Sequence, residues 1–108
     1  MKTLEELVFE SQHEIPKKYH ADVPEHAYVI DVRQAEEVNA TKLISNAVHI
    51  PRGKLEFEIS QLEGISKASP IYLYCAAGIR SALAGMTLKR LGYKNVFNLG
   101  GFLDLLES

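Results

Sequence analysis

The stretch IYLYCAAGIRSALA, residues 71–84, holds the only cysteine of a 108-residue chain. Cys75 follows an apolar run of strand length and precedes a segment of helical pattern that begins at about Arg80 or Ser81. Unpaired N–H groups and the helix dipole at a helix start attract an anion, and a thiolate is one. The Arg80 guanidinium adds charge of the same sign, and the small Ala76, Ala77 and Gly78 let the backbone curl so that its donors converge on one point. Ile79 completes the loop, and Ser81 is placed to cap the new helix or to offer its hydroxyl to the sulfur. A thiolate held in this way is a nucleophile. A lone cysteine at a strand end is often only a small apolar residue. A glycine, an arginine and a helix start close behind it argue for chemistry instead.

The elements that must position this loop alternate. Thr3 and Glu6 form a capping box for a short helix over residues 3–12, and two prolines then interrupt the pattern. YVIDV (28–32) and AVHI (47–50) read as strands, the second stopped by Pro51, and QAEEVNA between them has helical composition. Leu55, Ile59 and Leu62 recur at helical spacing. IYLY (71–74) is apolar on both faces, as a strand covered on both sides must be. In the following helix Leu83, Thr87, Leu88 and Leu91 form the expected stripe, Gly85 suggests a close backbone approach, and Gly92 is a C-terminal stop. NVFNL (95–99) is the last strand and GGFLDLLES a short closing helix. Such alternation predicts an α/β fold with a mainly parallel central sheet and helices on both faces. In an open parallel sheet ligands bind beyond the carboxyl ends of the strands, which is where Cys75 falls.

Bulk composition excludes several classes. The length suits one domain over residues 1–108, of which 1–26 are an N-terminal helix and loop, and 46% hydrophobic residues supply a core. Twelve basic and fourteen acidic residues leave no excess of positive charge for a nucleic acid. No apolar tract is long enough for a bilayer, and the glutamate-rich start is unlike an export signal. A cytoplasmic location is expected, although a chain whose leader had been removed would read the same. His13, His20, His26 and His49 lack metal-ligand spacing, so no metal is expected.

Residues 28–104 resemble the rhodanese (thiosulfate sulfurtransferase) domain. CAAGIRSALAGMTLKRLGYKNVFNLGGF is similar to its active-site loop, following helix and last strand, and VIDVRQAEEV to its Asp-Val-Arg segment. The resemblance implies a rhodanese-like domain in which Cys75 carries sulfur as a persulfide held by the amides of residues 76–81, with no other cofactor. It implies a small anionic sulfur donor such as thiosulfate, and a thiol, cyanide or acceptor protein to take the sulfur. Two departures stand out. KLISNA (42–47) replaces the family's Gly-His-Ile-Pro-Gly-Ala turn, and the tryptophan often found after the terminal Gly-Gly is absent.

Asp31 and Arg33 approach the same sheet edge as Cys75. Their ordinary reading is that Asp31 accepts loop N–H bonds while Arg33 pairs with Glu36 or Glu37. Arg52, just past another strand, either adds charge at the mouth or is solvated. Two other functions compete. A cysteine phosphatase or arsenate reductase also cradles oxyanions at a helix start, but phosphatases place one more residue between cysteine and arginine than the four found here, and an internally resolved reductase needs a second cysteine. A non-catalytic docking module of the same family often loses the cysteine that this chain keeps.

Overall fold

The computed structural model describes residues 1–107. Four strands, β1 (Tyr28–Asp31), β2 (Ala47–His49), β3 (Pro70–Cys75) and β4 (Asn95–Gly101), form one parallel sheet in the order β2-β1-β3-β4. The helices are α1 (Leu4–Glu14), α2 (Ala35–Ala40), α3 (Leu55–Glu58), α4 (Ile79–Arg90) and α5 (Phe102–Glu107). The expected α/β class and parallel sheet are therefore present. From β1 the chain winds one way to β2, then crosses back to β3 on the other side. The β1/β3 boundary is thus the switch point of the sheet, where strand ends diverge and leave a crevice.

Side-chain alternation divides the interior in two. Ile71, Leu73 and Cys75 of β3 join Ile30, Leu55, Ile59, Ala84 and Leu88 on one face. Tyr72 and Tyr74 join Val29, Ile44, Leu99, Phe102 and Leu105 on the other. Helices thus cover both faces, α3 and α4 on the first and α5 on the second. Cys75 points toward α4 for the same reason that Leu73 does.

The α4 stripe differs from the expected one. Leu88 is buried, but Leu91 is exposed and Leu83 and Thr87 are only half-buried. The buried positions are instead Ser81, Ala82, Ala84, Gly85, Met86 and Leu88, because α4 is enclosed by the sheet and by α1. Small residues permit that approach. A Cβ on Gly85 would sit 3.0 Å from Ile15 Cγ2, which explains the glycine. Gly92, at φ 101°, lets the Tyr93 amide return to the Leu88 carbonyl and ends α4 as its sequence predicts.

Three boundaries also shift. Helix α1 runs on to Glu14, and the Leu55–Leu62 segment is one α-turn followed by a 3-10 turn at Ile59–Gln61 rather than a continuous helix. β4 continues through Gly101, because Gly100 and Gly101 pair with Tyr74 and Cys75 of β3, and the segment after α1 lies along its other edge, where the Asn98 amide donates to the Pro16 carbonyl and the Lys18 amide to that of Asn98. In KLISNA, Asn46 takes φ 68°, a left-handed conformation that asparagine tolerates and in which the family's glycine is at ease. Among the described residues no helix is long and apolar enough to cross a membrane.

Candidate active site

Cys75 is the last residue of β3 rather than the first residue beyond it, and it is 1% exposed. It belongs to the core and to the loop at once. Its Sγ accepts the Gly78 amide at 3.0 Å and the Ser81 amide at 3.4 Å, and lies 3.4 Å from Ser81 Oγ. Helix α4 begins at Ile79, one residue earlier than its pattern suggests, with Gly78 as N-cap at φ 91°. A side chain there would be strained by that φ and would meet Gly100 Cα at 3.2 Å. The exposed Ala76 and Ala77 form the outer rim of the loop, and Gly101 packs so closely beneath it that a Cβ would come within 2.7 Å of the Ala76 carbonyl oxygen.

Ser81 does not cap the helix. It sits inside the first turn, fully buried, and its hydroxyl donates to Asn98 Oδ1 at 2.7 Å. Asn98 is the residue that sequence reasoning missed. Its Oδ1 also accepts the Gly100 amide at 2.9 Å, and its Nδ2 donates to the Gly78 carbonyl at 3.0 Å, so one amide group ties the loop, α4 and the end of β4 together. The available signal was a polar residue in step with Val96 on the inward face of an otherwise apolar strand. Because the Ser81 proton is given to Asn98, its oxygen is left to accept, and the Cys75 thiol can donate to it.

The second strand end is organised by Asp31 and Arg33, both buried. Arg33 pairs with Asp31, not with Glu36 or Glu37: Nη2 lies 2.7 Å from Oδ2, and Nε lies 2.9 and 3.1 Å from the two oxygens. Asp31 also accepts the Arg33 amide, the loop bond expected of it. The guanidinium further donates to Thr41 Oγ1 and the Lys42 carbonyl and lies 4.1 Å from the Phe102 ring centroid. Phe102 stands directly after Gly100-Gly101, and its ring also stacks near that of Tyr74.

Arg80 is half-buried and meets Glu37 of α2 in a two-pronged ion pair, Nη1–Oε1 2.5 Å and Nη2–Oε2 2.7 Å. The Arg80 hydrogen bonds hold the Glu37 carboxyl down to about 2, and those same bonds raise Arg80 further. The Cys75 sulfur thus has a cation nearby whose fork is already engaged. Arg52 is not at this mouth. It pairs with Glu56 and donates to Thr87 Oγ1, bracing the turn before α3 against α4 two helical turns from the loop.

Comparison with known proteins agrees with this geometry. The rhodanese-like domain family profile matches residues 11–107. YrkF of Bacillus subtilis is 35% identical over 82 residues, covering 76% of this chain and 42% of its own length, so the chain spans less than half of that protein. The human single-domain sulfurtransferase TSTD1 superimposes with a TM-score of 0.66 at 26% identity, over 77% of this chain and 83% of that one. A Rhodopseudomonas palustris protein of unknown function, for which tyrosine phosphatase activity has been suggested, superimposes with a TM-score of 0.82 at 25% identity, over 99% of this chain and 91% of its own. With the parallel sheet, the cysteine at the end of β3 and the profile match over most of its length, this chain belongs to the rhodanese-like domain family and is related to its single-domain sulfurtransferases.

Proposed function

We propose that the protein is a sulfurtransferase that moves sulfane sulfur through a persulfide on Cys75. The observation that carries this reading is the placement of Sγ at the buried end of β3, 3.0 Å from the Gly78 amide and 3.4 Å from that of Ser81. Those donors favour a negative sulfur and are fixed before reaction, so they stabilise charge without rearrangement. With thiosulfate as donor, the Cys75 thiolate attacks the sulfane sulfur, a new S–S bond forms, and the old one breaks with its electron pair leaving on sulfite. The terminal sulfur of the persulfide is then attacked by a thiol, cyanide or an acceptor protein's cysteine, and the pair of the S–S bond returns to Cys75. One sulfur atom is the only group that must come within reach of so enclosed a thiolate.

Steady-state conversion of thiosulfate and cyanide to thiocyanate tests this. Wild type is expected to turn over and Cys75→Ser to lose all measurable activity. Appreciable turnover by Cys75→Ser would exclude the mechanism. A phosphatase reading draws support from the Rhodopseudomonas likeness. The short loop and the enclosed sulfur leave little room for a tetrahedral phosphate, and aryl phosphate hydrolysis faster than sulfur transfer would reverse that ranking.

A further inference from the structure

We propose that Glu37 is a specificity-determining residue that turns the site away from small dianionic sulfur donors and toward donors of lower charge with an apolar body. The inference rests on the sulfur-transfer reading above and names the donor class for that same site. A recess of about 330 Å³ opens beside the loop, walled by Ala76, Ala40, Phe102, Leu103, Arg33 and Glu37. Ala76 adjoins the sulfur-bearing residue, so this recess borders the approach to the loop.

A dianion is best met by a guanidinium fork whose paired N–H groups are open. Arg33 offers none, and Arg80 has its Nη1/Nη2 fork occupied, which leaves only its Nε edge. Arg33 is buried and spends its donors on Asp31, Thr41 and Lys42. Arg80 spends both Nη groups on Glu37. The carboxyl of Glu37, held down to about 2, remains negative at any working pH and also faces Arg33, so it opposes a second negative charge entering the recess. Thr41 apart, the other walls are apolar. Leu103 is 69% exposed, and the Phe102 ring backs the Arg33 guanidinium. They suit the hydrocarbon part of an organic persulfide or a thiosulfonate. From such a persulfide, RSSH, the Cys75 thiolate takes the terminal sulfur, and the broken S–S bond releases RS⁻.

The probes are thiosulfate and benzenethiosulfonate, which carries one charge fewer and a phenyl ring. Benzenethiosulfonate gives its sulfane sulfur to the Cys75 thiolate as its own S–S bond breaks, with the electron pair leaving on benzenesulfinate. Cyanide is the acceptor for both. The readout is the change, on substitution, in the ratio of kcat/KM for the two donors, which cancels their intrinsic reactivity. Glu37→Gln is expected to raise thiosulfate relative to benzenethiosulfonate by about fivefold, the scale of one partly exposed ion pair, through a lower thiosulfate KM. Arg80→Ala added to Glu37→Gln should erase that gain, since it works through the freed fork. Leu103→Ser, at an exposed position that does not support the core, should shift the same ratio by weakening benzenethiosulfonate. Ratios that stay at the wild-type value in Glu37→Gln and Leu103→Ser, with sulfur transfer intact, would overturn the Glu37 assignment alone. Absence of transfer from either donor in wild type would overturn the sulfurtransferase reading and this inference with it.

Discussion

At the scale of single residues, the sulfur depends on a polar pair buried behind it. Ser81 and Asn98 fix the loop from within, Asn98 with three hydrogen bonds that leave none of its side-chain atoms unmatched. Replacing Asn98 by alanine strands the Gly100 amide and takes from the Ser81 hydroxyl its acceptor, while the Gly78 carbonyl keeps only the Ala82 amide. The expected cost is about 1–3 kcal/mol, read from chemical denaturation, together with slower sulfur transfer. Unchanged stability would mean that the loop holds itself. Asn98 is hard to find in the sequence because its two partners outside β4, Ser81 and Gly78, lie 17 and 20 positions away and chain folding alone brings them together. Cys75 is legible because all its sulfur contacts lie within the next six residues.

At the scale of elements, two devices hold α4 against its neighbours. The first is Gly78, whose left-handed φ turns the chain from β3 into the helix. Gly78→Ala is expected to lose about 1–3 kcal/mol and to weaken transfer, because the displaced amide no longer reaches Sγ. The second is the ion pair between Arg80 of α4 and Glu37 of α2. The Glu37 carboxyl lies well below its ordinary 4.5, at about 2, held mainly by the Arg80 hydrogen bonds. A depressed value means that the contribution is complete above about 4.5 and is lost as pH falls through about 2. The difference in Tm between wild type and Glu37→Gln should therefore be constant near neutrality and shrink only below about pH 4.5. A difference that instead changes between pH 6 and 8, a window of about two units in which histidines titrate, would assign it to another group. This pair was not legible either. Glu37 has helical composition around it and no local sign that it reaches a residue 43 positions on. Arg33 differs from its sequence reading for a related reason, since its partner, Asp31, is two residues back on the strand rather than ahead on the helix.

At the scale of the whole molecule, the class of fold follows from alternation, with apolar runs of strand length separated by helical patterns. The packing of α1 on α4 does not follow from it, since Gly85 announces only that something comes close. What comes close is Ile15, from the far end of the chain. Ile15→Ala is expected to cost about 2–5 kcal/mol through the cavity it leaves. Gly85→Ala alone should cost about 1–3 kcal/mol by overpacking against Ile15, and the double variant should be more stable than the sum of the two, as a cycle of unfolding free energies will show. Strict additivity would place the contact elsewhere. These packed layers present one thiol at the switch point of the sheet, and the claim that this thiol carries sulfur is best tested on the intact chain. Mass spectrometry of the reduced protein after exposure to thiosulfate should show one added sulfur, mapped to Cys75, lost on addition of cyanide and absent in Cys75→Ser. Formation of thiocyanate with no sulfur ever added to the chain would contradict the account.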